Sequence, residues 1–279
     1  MLKRLALALT CSASLWSTNA SAEPQFVYSS SISLSEGGGF SGLELSKDGR
    51  SGITMSDRGA VYEIALERID GKLTKAQLTP WAITPKIKGD VEGIATLEKG
   101  SYFFSMEKPA KVISVNGAGK MQKLPDHPDF AKMGRNSQLE ALAIDANGTL
   151  YTLPEITGGA KQGFPLYAFK NAKWELITHI PERGTFLAVG ADFGPDNLFY
   201  LLERSVSLLG FRTRVRRFDL SQPDLGEETL IKTGQLSHDN LEGISVWQDE
   251  TGAMRITMIS DDNFAPILRN EIVEYVLQE

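Results

Sequence analysis

The chain has 279 residues, a formal net charge of −6 and a single cysteine, Cys11. A net-acidic chain without a strongly basic tract is a poor partner for nucleic acid. No segment reaches the roughly 18 consecutive apolar residues that a membrane-spanning helix needs.

The first 22 residues read as a secretory signal. Lys3 and Arg4 supply the positive start, Leu5 to Leu9 open an apolar stretch, and Ala20-Ser21-Ala22 fits the small-residue cleavage pattern. The expectation is an exported protein, periplasmic or extracellular, beginning near Glu23. Lipidation at Cys11 is the alternative, but Thr10 is poorly suited to precede a lipidated cysteine and the apolar run before it is short. Cleavage leaves 257 residues, enough to bury a core. It also removes Lys3 and Arg4, taking the charge to −8, and leaves no cysteine. Disulfides, thiolate metal sites and a cysteine nucleophile are then excluded.

The rest reads as one domain, residues 23–279, built from a unit used five times. Each copy has a small apolar strand, a turn, a second apolar strand, an acidic residue and a third strand. The copies cover residues 40–66, 90–115, 138–169, 186–220 and 240–277. Turn signals fall at Asp48-Gly49, Lys99-Gly100, Asn147-Gly148, Asp196-Asn197 and Thr251-Gly252. Flanking segments such as GITMS, SYFFS, TLYTL and RITMI are β-branched or aromatic, as strands are. No long, capped helical period is present.

Fourth strands are expected in AQLTPWAI, KMQKL, WELITHI and EETLIKT. The fifth unit lacks one, whereas the N-terminal FVYSSSISL has no unit of its own. It can join the last unit and cover an open sheet edge. The spacing predicts an all-β fold, a β-propeller of about five four-stranded blades closed by the N-terminal strand. A sixth blade would need a degenerate unit within residues 126–136 or 204–217.

Acidic residues recur at equivalent places. Glu92 and Glu107 are centred on the Lys99-Gly100 turn, Glu140 and Glu155 on Asn147-Gly148, and Glu242 and Asp261 on Thr251-Gly252. Each pair is expected to lie roughly opposite across a hairpin. Ser41 with Asp57, and Val189 with Glu203, are read as half-pairs. Facing carboxylates repel. A hard cation with oxygen ligands, neighbouring bases or protonation would compensate. Arg58, Lys108 and Arg204 each follow the second acid directly. The segment Ser260-Asp261-Asp262-Asn263 is the densest oxygen cluster and points to an off-centre site near Glu242 and Asp261.

Other signals are weaker. Gly39-Phe40-Ser41-Gly42-Leu43 misses the last position of a nucleophile elbow, so Ser41 reads as structural. His127 and His179 carry no metal spacing. His238, just ahead of Asp239-Asn240-Leu241-Glu242, is placed within reach of the acidic face. Arg212, Arg214 and Arg216 share one face of a strand by alternation, either solvated or binding an anion.

FSGLELSKDGRSGITMSDRG, DVEGIATL with FFSMEKP, NSQLEALAIDANGTLYTLPE, and DNLEGISV with ISDDNF resemble the phytase-like family, "esterase-like activity of phytase". The resemblance spans residues 41–277 and implies a β-propeller that hydrolyses phosphate or carboxylate esters. By match to the motif it carries over Asp57, Glu92, Glu107, Glu140, Glu155, Glu203, Glu242, Asp261 and Asn263. Val189 departs from the pattern, against a fully symmetric ring. No RHG motif is present, which excludes a phosphohistidine route.

The expected function is a divalent-cation-assisted ester hydrolase, with Ca²⁺ the favoured ion, acting on a small anionic substrate. Glu242, Asp261, Glu140 and Glu155 are the catalytic candidates. Arg58, Lys108, Arg204 and His238 would bind substrate. Asp57, Glu92, Glu107, Glu203, Asp262 and Asn263 would hold metal. A non-catalytic binding propeller with a structural ion, and a lactonase-like hydrolase, are the alternatives.

Overall fold

A computed structural model describes residues 25–81, 86–97, 100–134, 138–157 and 163–278. The segment read as a secretory signal, Cys11 and Lys99 lie outside the described residues. Twenty strands form five four-stranded antiparallel sheets. Strand β1 (Gln25–Ser33) precedes four complete blades. Blade 1 holds β2 (Phe40–Leu45), β3 (Ser51–Ser56), β4 (Val61–Ile69) and β5 (Lys72–Pro80). Blade 2 holds β6 (Val91–Leu97), β7 (Ser101–Met106), β8 (Lys111–Asn116) and β9 (Met121–Lys123). Blade 3 holds β10 (Leu139–Ile144), β11 (Leu150–Pro154), β12 (Phe164–Lys170) and β13 (Lys173–Ile180). Blade 4 holds β14 (Leu187–Phe193), β15 (Phe199–Ser207), β16 (Gly210–Phe218) and β17 (Glu228–Lys232). Blade 5 has β18 (Asn240–Gln248), β19 (Met254–Asp261) and β20 (Glu271–Gln278), with β1 as its outer strand.

The N-terminal strand therefore closes the ring as expected, pairing Gln25 with Gln278 through Ser33 with Glu271. Among the described residues, neither stretch that might have hidden a sixth unit forms one. Residues 204–217 belong to blade 4, and Phe130–Lys132 is a single 3₁₀ turn.

The cores lie between blades, because each sheet has two apolar faces to bury. Five apolar clusters fill the five junctions. Ile53 and Met55 meet Ile94 and Phe104 between blades 1 and 2. Leu43 and Ile64 meet Trp247 and Ile259 where the ring closes. At one end, inner hairpins turn on short Asp- or Gly-bearing loops. Asp145 accepts from the Asn147 and Thr149 amides, and Asp249 from those of Thr251 and Ala253.

At the opposite end, every inner hairpin carries a β-bulge at the same place. The register shifts between Phe40 and Gly42, Val91 and Gly93, Leu139 and Ala141, Ala188 and Gly190, and Leu241 and Gly243. The bulged residues are Ser41, Glu92, Glu140, Val189 and Glu242. A bulge leaves one residue unpaired and re-aims its side chain. In four of the five units a glycine follows, because the next inner strand passes too close for a side chain. A Cβ on Gly190 would lie 2.3 Å from the Glu242 carbonyl oxygen, and one on Gly243 would lie 2.8 Å from the Gly42 carbonyl carbon. The axis is thus nearly closed, leaving a cavity of about 10 Å³ beside Glu92 and Glu242, room for about one water.

Gly190→Ala tests this packing. The expected loss is about 1–3 kcal/mol, as for other overpacked cores. Calorimetry should show melting lowered by roughly 2–12 °C. An unchanged melting temperature would mean that the strands part at no cost.

Candidate functional site

The bulges decide which acids meet. Glu92, Glu140 and Glu242 are the unpaired bulge residues of blades 2, 3 and 5, so they do not lie directly opposite their hairpin partners as the midpoint arithmetic suggested. The second acids follow the next strand. Glu107 donates its amide to the Asp90 carbonyl, Glu155 to that of Gln138, and Asp57 to that of Gly39. Asp261 pairs with Asn240. These residues converge on the bulged end of the axis, and Glu107, Glu155, Glu242 and Asp261 are all buried.

Blade 4 is where the structure corrects the sequence reading. Ala188 pairs with Glu203 across the hairpin, as Val91 pairs with Met106 and Leu139 with Pro154. Glu203 is therefore one residue short of the ring position. A one-residue offset in a strand turns the side chain to the other face. Glu203 is 0% exposed and lies inside the blade. It accepts from Arg214 at 2.6 and 2.9 Å and from Arg216 at 2.6 and 2.8 Å. The arginines are thus neither a solvated face nor an anion patch. Arg216 also meets Glu227, and Arg212 stands over Phe186. Arg204 occupies the ring position that the other blades give to an acid.

Arg204 organises half of the ring. It donates to Glu155 at 2.8 Å, to the Asn240 side chain at 2.6 Å, and to Glu242. These carboxylates hold its pKa above the ordinary arginine value despite burial. Asn240 also donates to Glu242 at 2.8 Å. Burial pushes the Glu242 carboxyl up to about 7, with Arg204 opposing and Asp261 reinforcing the rise.

The other half lacks such a cation. Desolvation, then the charges of Glu242, Glu107, Asp57 and Asp90, push Glu92 up to about 9. Glu140 is pushed well up by burial and by Glu92, Glu155 and Glu242. Lys108 reaches only the outer side, at 2.8 Å from Glu107 and 2.9 Å from Asp90. One carboxylate oxygen each from Glu92, Glu107 and Glu140 lies within 4.8 Å of the other two. Bonds of roughly 2.3–2.6 Å to a hard cation span separations up to about 5 Å. The donors are all oxygen, as such an ion prefers. Gln138, two residues before Glu140, also leaves its buried Oε1 without a hydrogen-bond partner. The oxygens of Glu92, Glu107 and Glu140 therefore fit a divalent cation between blades 2 and 3.

The remaining candidates separate. Asp261 is raised to about 6, mainly by burial, while its Oδ1 accepts from the Asn263 amide. Asp262 is spent on structure, accepting from the Gly39 and Phe264 amides and the Asn270 side chain. Asn263 is exposed in that turn. Arg58 stacks 3.4 Å over the Phe264 ring centre, a favourable cation–π contact. His238 does not reach the ring. It is buried against Tyr28 and Tyr275, with Nε2 2.8 Å from the Tyr275 hydroxyl. Ser41 donates to the Val91 carbonyl at 2.8 Å, a strut between blades.

Sequence reasoning missed Asp90, Gln138 and Asn240, although one signal was present. Asp90-Val91-Glu92, Gln138-Leu139-Glu140 and Asn240-Leu241-Glu242 repeat a polar residue two before the bulge acid.

Similar chains are found among solved structures. A luciferin-regenerating enzyme is 13% identical over 90% of this chain and 95% of its own, with a TM-score of 0.50. A gluconolactonase from Xanthomonas campestris is 14% identical over 85% of this chain and 72% of its own, TM-score 0.48. The calcium-binding protein regucalcin from Agrobacterium tumefaciens is 8% identical over 85% and 90%, TM-score 0.49. At 13% identity the likeness to the luciferin-regenerating enzyme is one of fold alone. A search of curated proteins found no match. The family model described as "Phytase-like: Esterase-like activity of phytase" matches residues 35–264. The match covers most of the chain, and the chain is a member of the phytase-like family.

Proposed function

We propose that the bulged end of the propeller is the active site of a divalent-cation-assisted ester hydrolase. The observation that carries this reading is the gathering of Glu92, Glu107 and Glu140 oxygens within 4.8 Å. The family description, esterase-like activity of phytase, supplies the ester. Those three residues would hold the ion, with Ca²⁺ the best match to an oxygen-only donor set. A bound cation would polarise an ester oxygen and acidify a water. In the net reaction water adds across the ester, the acyl–oxygen or phosphorus–oxygen bond breaks, and the alcohol leaves with a proton.

The chain's own groups have distinct tasks. Arg204 and Asn240 fix the orientation of Glu242. Its pKa near 7 suits a group exchanging protons at neutral pH. Lys108 holds Glu107 in place. We take the protein as exported, where a cation affinity of roughly 10⁻⁴–10⁻³ M suffices.

Thermal-shift titration with Ca²⁺, Mg²⁺ and Mn²⁺ tests the ion, alongside turnover of aryl phosphate, phytate, aryl ester and lactone panels. Glu140→Gln should weaken the cation-induced shift at least about tenfold in midpoint concentration, the loss of one charged ligand. Turnover of none of these substrates with any ion would reject the hydrolase. A second reading then gains: a binding platform with a structural ion. The closed network of Arg204, Glu155, Glu242 and Asn240, already satisfied without a ligand, is the observation that favours it.

A further inference from the structure

The acidic end of the propeller also carries an unusual amount of exposed apolar side chain. Strand β15 does not stop at the ring. It runs three residues past Arg204 to Ser207, turns at Leu208-Leu209, and returns as β16 from Gly210. In blades 1 to 3 the equivalent acids Asp57, Glu107 and Glu155 lie just beyond the ends of β3, β7 and β11. The blade 4 hairpin therefore rises about 10 Å above the ring, at roughly 3.3 Å per residue.

Its tip is apolar where turn chemistry asks for polar residues or glycine. Leu208 is fully exposed, and Val206 and Leu209 are each 64% exposed. Gly210 takes φ 101°, so the turn's positive-φ position is already met by glycine, and nothing in the turn requires leucine. Strand alternation puts Val206 on the same side of β15 as Arg204, the side that faces blade 5. The connector from blade 4 to blade 5 adds Leu236, 72% exposed at φ 62°. That conformation is costly for a leucine. Gln235 pins the connector to the hairpin by donating to Ser207 Oγ at 2.7 Å. Phe264 and Ile267 are exposed on blade 5. These apolar side chains lie at the same end of the propeller as Arg204, Glu242 and Asp261.

The charges of the ring narrow what would lie against these side chains. Lys108 is engaged by Asp90 and Glu107, and Arg204 by Glu155 and Glu242. Arg58 is the one basic residue among the three ring neighbours without a carboxylate partner among the described residues. Beyond a bound divalent cation, a polyanion would face many carboxylates with a single unpaired basic side chain to receive it. A ligand with an uncharged ester head and an apolar tail meets no such penalty, and its tail removes the exposed leucines from water.

We propose that this site is specific for esters with an apolar acyl chain, whose tail docks on Val206, Leu208, Leu209 and Leu236 while the ester group sits over the acidic ring. The proposal rests on the hydrolase reading for its turnover, but the docking itself can be read without turnover.

The full mature chain with Ca²⁺ is assayed on p-nitrophenyl acetate and p-nitrophenyl octanoate, and octanamide, which resists ester hydrolysis, is titrated by calorimetry. The expected kcat/KM ratio of octanoate to acetate exceeds about tenfold, since each buried methylene contributes several-fold. In the variant Leu208→Ser/Leu209→Ser/Leu236→Asn the ratio should fall to about one, and octanamide binding should weaken by at least about tenfold. All three positions are exposed, so circular dichroism and melting should match wild type. Phytate preferred over both esters, or a chain-length preference that survives the triple variant, overturns the proposal. If neither ester is cleaved, octanamide decides alone. Binding that the variant loses upholds the docking surface, and absence of binding rejects it.

Discussion

Replacing Glu203 with leucine is expected to cost about 3–5 kcal/mol, the typical loss when one partner of a buried ion pair is removed. Glu203 is the common acceptor for Arg214 and Arg216, and the side chains of Glu203 and Arg216 are fully buried. Leucine leaves Arg214 without a carboxylate and Arg216 with Glu227 alone. Neither guanidinium can shed its proton to relieve the cost. For a domain of this size the loss lowers melting by roughly 6–20 °C. Urea titration measures it directly. A triple variant in which Glu203, Arg214 and Arg216 all become leucine or methionine should recover most of the loss, since well-packed apolar residues often match a buried charged cluster. A loss below about 1 kcal/mol for Glu203→Leu would class the cluster as solvated, like a surface pair. A loss of the expected size without any added cation would separate Glu203 from the ring.

That result also bears on what the sequence could reveal. Blade number, strand order and the closing role of β1 follow from turn signals and apolar alternation, both local properties of the chain. The pairing of acids depends on register, and register is altered by five bulges that alternation does not announce. The separation of fifteen residues from Glu92 to Glu107, and again from Glu140 to Glu155, recurs between Val189 and Arg204. Choosing Glu203 because it is acidic broke that regularity. Chemistry was preferred to spacing, although spacing decides which face a strand residue occupies. His238 went astray for a related reason. It precedes the start of β18 and turns sideways to Tyr275, a tertiary contact between residues far apart in the chain. Of the cation-compatible set, Glu92 and Glu107 were read as ligands, whereas Glu140 was read as catalytic. The density of Ser260-Asp261-Asp262-Asn263 lies in a turn, and Asp262 spends its oxygens on backbone amides there.

Glu92→Gln is expected to stabilise the cation-free protein at neutral and alkaline pH, even though it removes a proposed cation ligand. Glu92 has an ordinary value of 4.5 and is pushed up to about 9, by desolvation first and then by Glu242, Glu107, Asp57 and Asp90. Between those values the folded chain holds a proton that the unfolded chain has released. Stability therefore falls as pH rises through this window. By pH 7 the ceiling on the loss is about 3 kcal/mol. Glutamine keeps the size and hydrogen-bonding capacity without the charge, so the variant should show a flatter profile. The gap between variant and wild type should close as pH falls toward 4.5 and widen toward 9. Differential scanning calorimetry from pH 5 to 9 in chelator reads this directly. Added Ca²⁺ should reverse the order. The ion replaces the held proton, so it should stabilise wild type more at pH 8 than at pH 6, and Glu92→Gln should lose most of that response. A variant less stable than wild type throughout the range in chelator would show that Glu92 is already compensated in the folded protein. The carboxylates would then have no need of a cation. If the order does reverse, the same repulsion that weakens the empty ring is what gives it affinity for a cation. Three bulged glutamates placing like charges at one end of a nearly closed axis would then be a binding device maintained at the expense of stability.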